Sequence, residues 1–115
     1  MTIMTTAELR RGRCAPLAPV ARLDSASCEA QLAAVPEWRC VDGALQRAFD
    51  FPDFHHTMAF VNALAWIAHR EDHHPDLQVG YGRCQLRWST HSAGGVTIND
   101  FICAAKVDAL VDDGH

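Results

Sequence analysis

A chain of 115 residues is long enough for one hydrophobic core and too short for two domains of ordinary size. With 49% of its residues apolar, 21% charged and a formal net charge of −4, it reads as a globular protein, not one that grips nucleic acid by its phosphates. No apolar run reaches the roughly 18 residues of a membrane span, and the start carries no signal-peptide h-region. The cytoplasm is therefore the expected address, with neither a membrane nor direct nucleic acid as partner.

Residues 1–20 show no clear hydrophobic period. They contain Pro16, Pro19 and the basic run Arg10-Arg11-Gly12-Arg13, so a mobile arm is expected ahead of a single domain over 21–115. A first helix starts at Asp24-Ser25, either of which can cap it. Cys28, Leu32 and Val35 recur at helical spacing, and Pro36 is the stop. Residues 38–41 read as a short strand and Asp42-Gly43 as a hairpin turn, because both residue types tolerate positive φ. The return strand over 44–51 puts Leu45, Phe49 and Phe51 on one side. Arg47 interrupts that side, which predicts a face running out to solvent at one end.

Asp53 can cap the longest helix, which extends to about Asp72. Phe54, Met58, Val61, Leu64, Ala65 and Ala68 keep a helical period, while Phe60, Trp66 and Ile67 widen the apolar surface. That width predicts burial against a second element or another subunit. After Pro75, Leu77, Val79 and Tyr81 alternate as a third strand, and Gly82-Arg83 suits a two-residue turn. Cys84, Leu86 and Trp88 then alternate with Gln85, Arg87 and Ser89. By parity His91 falls on the polar face if the strand reaches it. Gly94-Gly95 is a loop, and Thr97-x-x-Asp100 opens a last helix in the manner of a capping box. The order helix, hairpin, helix, hairpin, helix predicts an α+β fold. It is a two-layer sandwich of a four-stranded antiparallel sheet with helices on one face.

The five cysteines are odd in number, scattered, and nowhere spaced C-x-x-C, so free buried thiols are expected. Chemistry concentrates in Glu71-Asp72-His73-His74-Pro75 and in Ser89-Thr90-His91. Adjacent histidines do not share a helix face, so His73 and His74 make sense where the helix breaks before proline. Three imidazoles in one cleft can give and take protons near neutrality, which is what a dehydration needs. His55 and His56, at the start of the long helix, read as surface residues. Trp66 and Trp88 read as core rather than ligand platform. His69 and His73 stand four apart, and with His91 they also have zinc-ligand character. The residues alone leave an acid–base site and a metal site open.

The run His73-His74-Pro75, then Tyr81, Ser89-Thr90-His91, a glycine loop and Asp100 resembles the pterin-4a-carbinolamine dehydratase family in order and spacing. The likeness covers roughly residues 38–110 and includes Phe49-x-Phe51-x-x-Phe54. The resemblance implies the same two-layer α+β fold, assembled as a homodimer or homotetramer through its helices. It implies dehydration of 4a-hydroxytetrahydropterin, left by an aromatic amino acid hydroxylase such as phenylalanine hydroxylase, to quinonoid dihydropterin. Pterin is then substrate, and neither cofactor nor metal is implied. His73, His74 and His91 would be the essential histidines. His73, His74 and Pro75 with Thr90, His91, Ser92 and Ala93 would line the pocket, and Asp100 would be an ordering residue. Where the family commonly has an acidic residue four before the first histidine, this chain has His69. It has Leu77 in place of a usual aromatic, and Ser92 in place of a frequent acid. Some members of the family also serve as dimerisation cofactors of a transcription factor, so a partner-binding role on the same scaffold is the alternative.

Overall fold

The computed structural model describes residues 3–14 and 20–112. Four strands, β1 (Arg39–Val41), β2 (Ala44–Asp50), β3 (Asp76–Val79) and β4 (Arg83–Trp88), form one antiparallel sheet in the order β1-β2-β4-β3. The two hairpins therefore meet at β2 and β4, where Leu45 stands opposite Trp88 and Phe49 opposite Cys84. The expected α+β sandwich is the observed one. Asp42 (φ 49°) and Gly43 (φ 77°) make the first turn in the left-handed region, as their residue types require.

The second turn is centred on Tyr81-Gly82, one residue earlier than expected. Val79 still pairs with Cys84, and Gly80 N–H donates to Arg83 O at 2.8 Å. Gly82 is fixed by close approach: its carbonyl accepts from Phe51 N–H at 2.8 Å, and a Cβ there would meet Phe51 O at 2.7 Å. Tyr81 consequently leaves the strand and lies 71% exposed.

Helices α3 (Phe54–Glu71) and α4 (Ile98–Asp112) lie together on the sheet, and α1 (Thr6–Arg11) lies on α4. Helix α2 (Ser25–Gln31) runs into a short 3₁₀ turn over Leu32–Ala34, which ends before Pro36. Asp24 and Asp53 cap α2 and α3 through Ser27 N–H and His56 N–H. Trp38, Leu45, Leu64, Leu86, Trp88 and Phe101 form the centre of the core. Among the described residues no helix is long and apolar enough to cross a membrane.

Four local expectations are corrected. Thr6–Arg11, read as part of an arm, forms α1. It is closed by a capping box between Thr5 and Glu8 and buries only Leu9, too little to show as a period. Pro16 and Pro19 lie outside the described residues. The core face of α3 is Thr57, Phe60, Leu64, Ala68 and Glu71, while Phe54 is 50% exposed. Thr57 Oγ1 donates to Tyr81 O at 2.9 Å, and Phe60 stacks beside Phe49 and Phe51, which together set the rotation of the helix. Arg47 is not at a solvent end of its face. Its Nη1 pairs with Asp108 of α4 at 2.6 Å, and the guanidinium lies 4.2 Å from the Phe49 ring centroid. Finally, Cys28 and Cys40 form a disulfide joining α2 to β1. Cys14, Cys84 and Cys103 are free thiols, with Cys14 and Cys103 Sγ atoms 3.5 Å apart. Thiols twelve positions apart in different elements give no sequence signal of pairing.

Candidate functional site

Helix α3 stops at Glu71 because Asp72 turns left-handed (φ 50°). The N–H groups of Asp72 and His73 then bond back to the carbonyls of His69 and Ala68, at 3.2 and 3.1 Å. Pro75 follows within three residues and cannot continue the helix. This reversal delivers His73 to the end of the sheet. There its ring lies nearly parallel to that of Trp88, at 13° and 5.5 Å between centroids.

The segment after β4 is shaped by a separate device. Thr90 and Gly95 form an isolated antiparallel bridge, with Thr90 N–H donating to Gly95 O at 2.8 Å. Between them His91–Ala93 make a single 3₁₀ turn ending on Gly94 at φ 74°. Strand β4 stops at Trp88, so the parity expected to put His91 on the polar face does not carry that far. His91 nonetheless borders a cleft of about 390 Å³ beside that face, lined also by Asp42, Asp76, Arg87, Ser89 and Thr90.

Asp100 joins the two segments. It lies in the first turn of α4, fully buried. One carboxylate oxygen, Oδ1, meets His73 Nε2 at 2.6 Å. The other, Oδ2, accepts from Thr90 Oγ1 at 2.9 Å and from Thr97 N–H at 2.8 Å. Thr97 Oγ1 accepts in turn from Asn99 N–H at 3.2 Å, completing the cap at the start of α4. The cap expected from Thr97-x-x-Asp100 is thus present, and its carboxylate also holds an imidazole. An ionised carboxylate facing Nε2 accepts a proton from that nitrogen, and Nδ1 is left outside the Asp100 contact.

His73, Thr90 and Asp100 therefore form one buried network, while His74, His91 and Ser92 are exposed on the backbone beside it. Pro75 and Ala93 are partly buried. Among the described residues no side-chain hydrogen bond ties His74 or His91 into the network. His55 and His56 are surface residues as expected, and His56 Nδ1 meets Asp53 at 2.7 Å. Among the described residues no three His, Cys, Asp or Glu side chains gather to hold a metal ion, so His69, His73 and His91 are not a ligand set. His69 faces Trp66 instead, with ring centroids 6.0 Å apart.

Two residues near the site gave no clear signal in the sequence. Trp88 was legible as core, but not as the surface under His73. Glu71 is buried and accepts from Cys14 N–H at 2.9 Å, with Arg13 Nε 3.0 Å from its other oxygen. Burial pushes the Glu71 carboxyl up. The hydrogen bonds from Cys14 and Arg13, with Lys106 nearby, outweigh it and leave the group below the ordinary range. The Cys103 thiol is pushed up by its hydrogen bond with Cys14 and by burial, so it is not a reactive thiolate at neutral pH.

A family model described as pterin 4 alpha carbinolamine dehydratase matches residues 21–110. A protein of Xanthomonas oryzae pv. oryzae, provisionally named a pterin-4-alpha-carbinolamine dehydratase, is 56% identical over 95 residues, covering 81% of this chain and 80% of its own. A Stenotrophomonas maltophilia protein of the same provisional name is 52% identical over 107 residues, covering 90% of this chain and 92% of its own. Among solved structures, a transcriptional coactivator/pterin dehydratase from Brucella melitensis superposes with a TM-score of 0.74 at 35% identity, over 77% of this chain and 97% of that one. A pterin dehydratase-like RuBisCO assembly factor of the alpha-carboxysome matches at 0.56 and 27% identity, over 64% and 88%.

Proposed function

The chain belongs to the pterin-4a-carbinolamine dehydratase family, and we propose that it dehydrates 4a-hydroxytetrahydropterin to quinonoid dihydropterin by histidine acid–base catalysis. The observation that carries this reading is the buried Asp100 carboxylate, which holds His73 on one oxygen and Thr90, next to His91, on the other. A proton-transfer site needs imidazoles placed before substrate arrives, and the buried carboxylate anchors one of them, His73.

In this reading the pterin lies against His73, His74 and Pro75 on one side and Thr90, His91, Ser92 and Ala93 on the other. One imidazole gives a proton to the 4a-hydroxyl as the C4a–O bond breaks and water leaves. Another takes the N5 proton as the C4a–N5 double bond forms. The step is balanced without oxidant or reductant. Asp100 touches neither leaving atom and acts through His73.

The substrate would come from an aromatic amino acid hydroxylase, phenylalanine hydroxylase being the expected one, in the cytoplasm. The test is a coupled assay in which phenylalanine hydroxylase generates the carbinolamine and its disappearance is followed by absorbance. Acceleration by this protein, retained after chelator treatment, is the expected result. No acceleration by folded protein overturns the proposal.

A second reading, partner binding on the same scaffold, draws on the exposed apolar residues. Trp66 on α3 is 64% exposed, and Leu77 and Val79 on edge strand β3 are exposed as well. We propose that they are covered by a second copy of the chain. Replacing Trp66→Glu is expected to lower the sedimentation coefficient to that of a monomer. A wild-type protein that already sediments as a monomer excludes the assembly.

A further inference from the structure

We infer that Trp88 is a positioning residue for His73, setting the plane of the imidazole that Asp100 holds by its edge. The inference deepens the dehydratase reading and rests on it for its effect on turnover, but not for its effect on the ring.

Strand β4 alternates, so Cys84, Leu86 and Trp88 enter the core while Gln85 and Arg87 do not. Trp88 is the last of the three and lies at the end of the sheet, opposite Leu45 of β2. It is fully buried and covered by His73, whose side chain is 13% exposed. A group so covered does not touch substrate. It acts only through what lies on it.

One hydrogen bond does not immobilise an imidazole. With Nε2 on Asp100 Oδ1 at 2.6 Å, the ring can still swing about the axis through that contact and carry Nδ1 with it. A flat indole parallel to the ring at 13° removes that motion, because any swing drives one edge of the imidazole into the indole. Edge and face are thus held by different elements, α4 through Asp100 and β4 through Trp88. His73 itself comes from the end of α3. Three elements fix one ring.

The indole nitrogen separates this role from a polar one. Among the described residues, the buried Trp88 Nε1 meets no hydrogen-bond partner. What the position supplies is therefore a flat surface, not a donor. Phenylalanine keeps a flat face and removes an unsatisfied N–H, whereas leucine keeps apolarity and loses the plane.

The test compares Trp88→Phe with Trp88→Leu in two readouts. By nitrogen-15 NMR of the histidine rings, without substrate, His73 in the wild type and in Trp88→Phe should show one tautomer, protonated at Nε2. In Trp88→Leu the unsupported ring also swings off Asp100, so the proton is no longer held on Nε2 and the two nitrogen shifts should move toward each other. In the coupled assay Trp88→Phe should keep kcat within about threefold, while Trp88→Leu loses roughly ten- to a hundredfold in kcat with KM within about twofold, as expected for a misplaced catalytic group. Should Trp88→Leu fail to fold, Trp88→Met, which fills the space with a flexible chain, takes its place. His73 nitrogen shifts that are the same in the wild type and the non-planar variant overturn the inference, whatever the activity. Equal loss of kcat in the Phe and non-planar variants overturns it too, as that is the mark of packing alone. If the NMR result holds and even the wild type does not accelerate dehydration, the positioning stands and the dehydratase reading fails.

Discussion

Helix α4 carries two buried aspartates roughly two turns apart, and they do different work. Asp108 accepts from Trp38 Nε1 at 2.7 Å and from Arg47 Nη1 at 2.6 Å, tying the helix to β2 and to the loop before β1. Asp100 accepts from His73, Thr90 and Thr97. Both are satisfied carboxylates in the core, and burial alone does not tell them apart. The partner does. Arginine keeps its proton at any pH the fold survives, so the Asp108 pair can only hold elements together. An imidazole, unlike a guanidinium, can give up and regain a ring proton, so the Asp100 pair can take part in chemistry.

Substitutions should separate these roles. The largest effects are expected at the exposed histidines, where His74→Ala and His91→Ala should each lower kcat/KM by about a hundredfold or more, the usual worth of a positioned acid or base. Their melting temperatures should stay within about 2 °C of wild type, since neither side chain is buried. Near-normal turnover in both would sink the site. Asp108→Ala should do the reverse. It leaves the partly buried Arg47 and the buried Trp38 Nε1 without their acceptor and should cost about 2–4 kcal/mol in urea unfolding, with the molecules that remain folded still turning over normally. A milder effect is expected for Asp100→Asn, which keeps the shape of the cap but lowers the charge facing His73. A loss of about tenfold in kcat, or ~1.4 kcal/mol, with KM little changed would mark Asp100 as acting on the imidazole. Combined with His73→Ala it should add almost nothing, because the two residues form one unit. Full additivity would break the comparison between the two aspartates.

The contrast also shows what a sequence displays and what it hides. Alternation in β2 and β4, the Asp42-Gly43 turn and the cap at Thr97 are local rules, and the fold follows them. Asp100 could be read as a cap from its spacing to Thr97, but its hold on His73 spans 27 positions and obeys no period. Arg47 was misread because a charge in an apolar row looks like a route to solvent. Its partner lies 61 positions away on another helix. The rotation of α3 was misjudged for a similar reason, since Thr57 is polar by composition and buried because Tyr81 O accepts its hydroxyl. Histidine spacing showed which segments hold the candidate site. The resemblance alone pointed to Asp100 as an ordering residue, and the stacking of Trp88 on His73 is seen only once the chain is folded.

Glu71 offers the finest test, because it is a third buried carboxylate whose partners, Arg13 and Lys106, are permanent cations at neutral pH. On the reasoning applied to Asp108 it should be structural, holding the segment after α1 against the end of α3. Its carboxyl is depressed below the ordinary value of 4.5, the net result of burial opposed by stronger hydrogen bonding and charge. A depressed carboxylate stabilises the fold fully above its unfolded pKa, and that stability is lost as pH falls through the lower folded value. Glu71→Gln keeps the shape and discards the charge. Arg13 is more than half exposed, so solvent screening limits the effect to about 1 kcal/mol at pH 7. Urea unfolding of both proteins from pH 7 to pH 3 should show that gap constant down to about 4.5. Below that it should close as the wild-type carboxyl gains its proton. Kcat at pH 7 should be unchanged in Glu71→Gln, because nothing in the His73 network passes through Glu71. A gap that persists undiminished at pH 3 would mean that something other than the titrating charge separates the two proteins. A fall in kcat without a fall in stability would move Glu71 from the structural carboxylates to the company of Asp100.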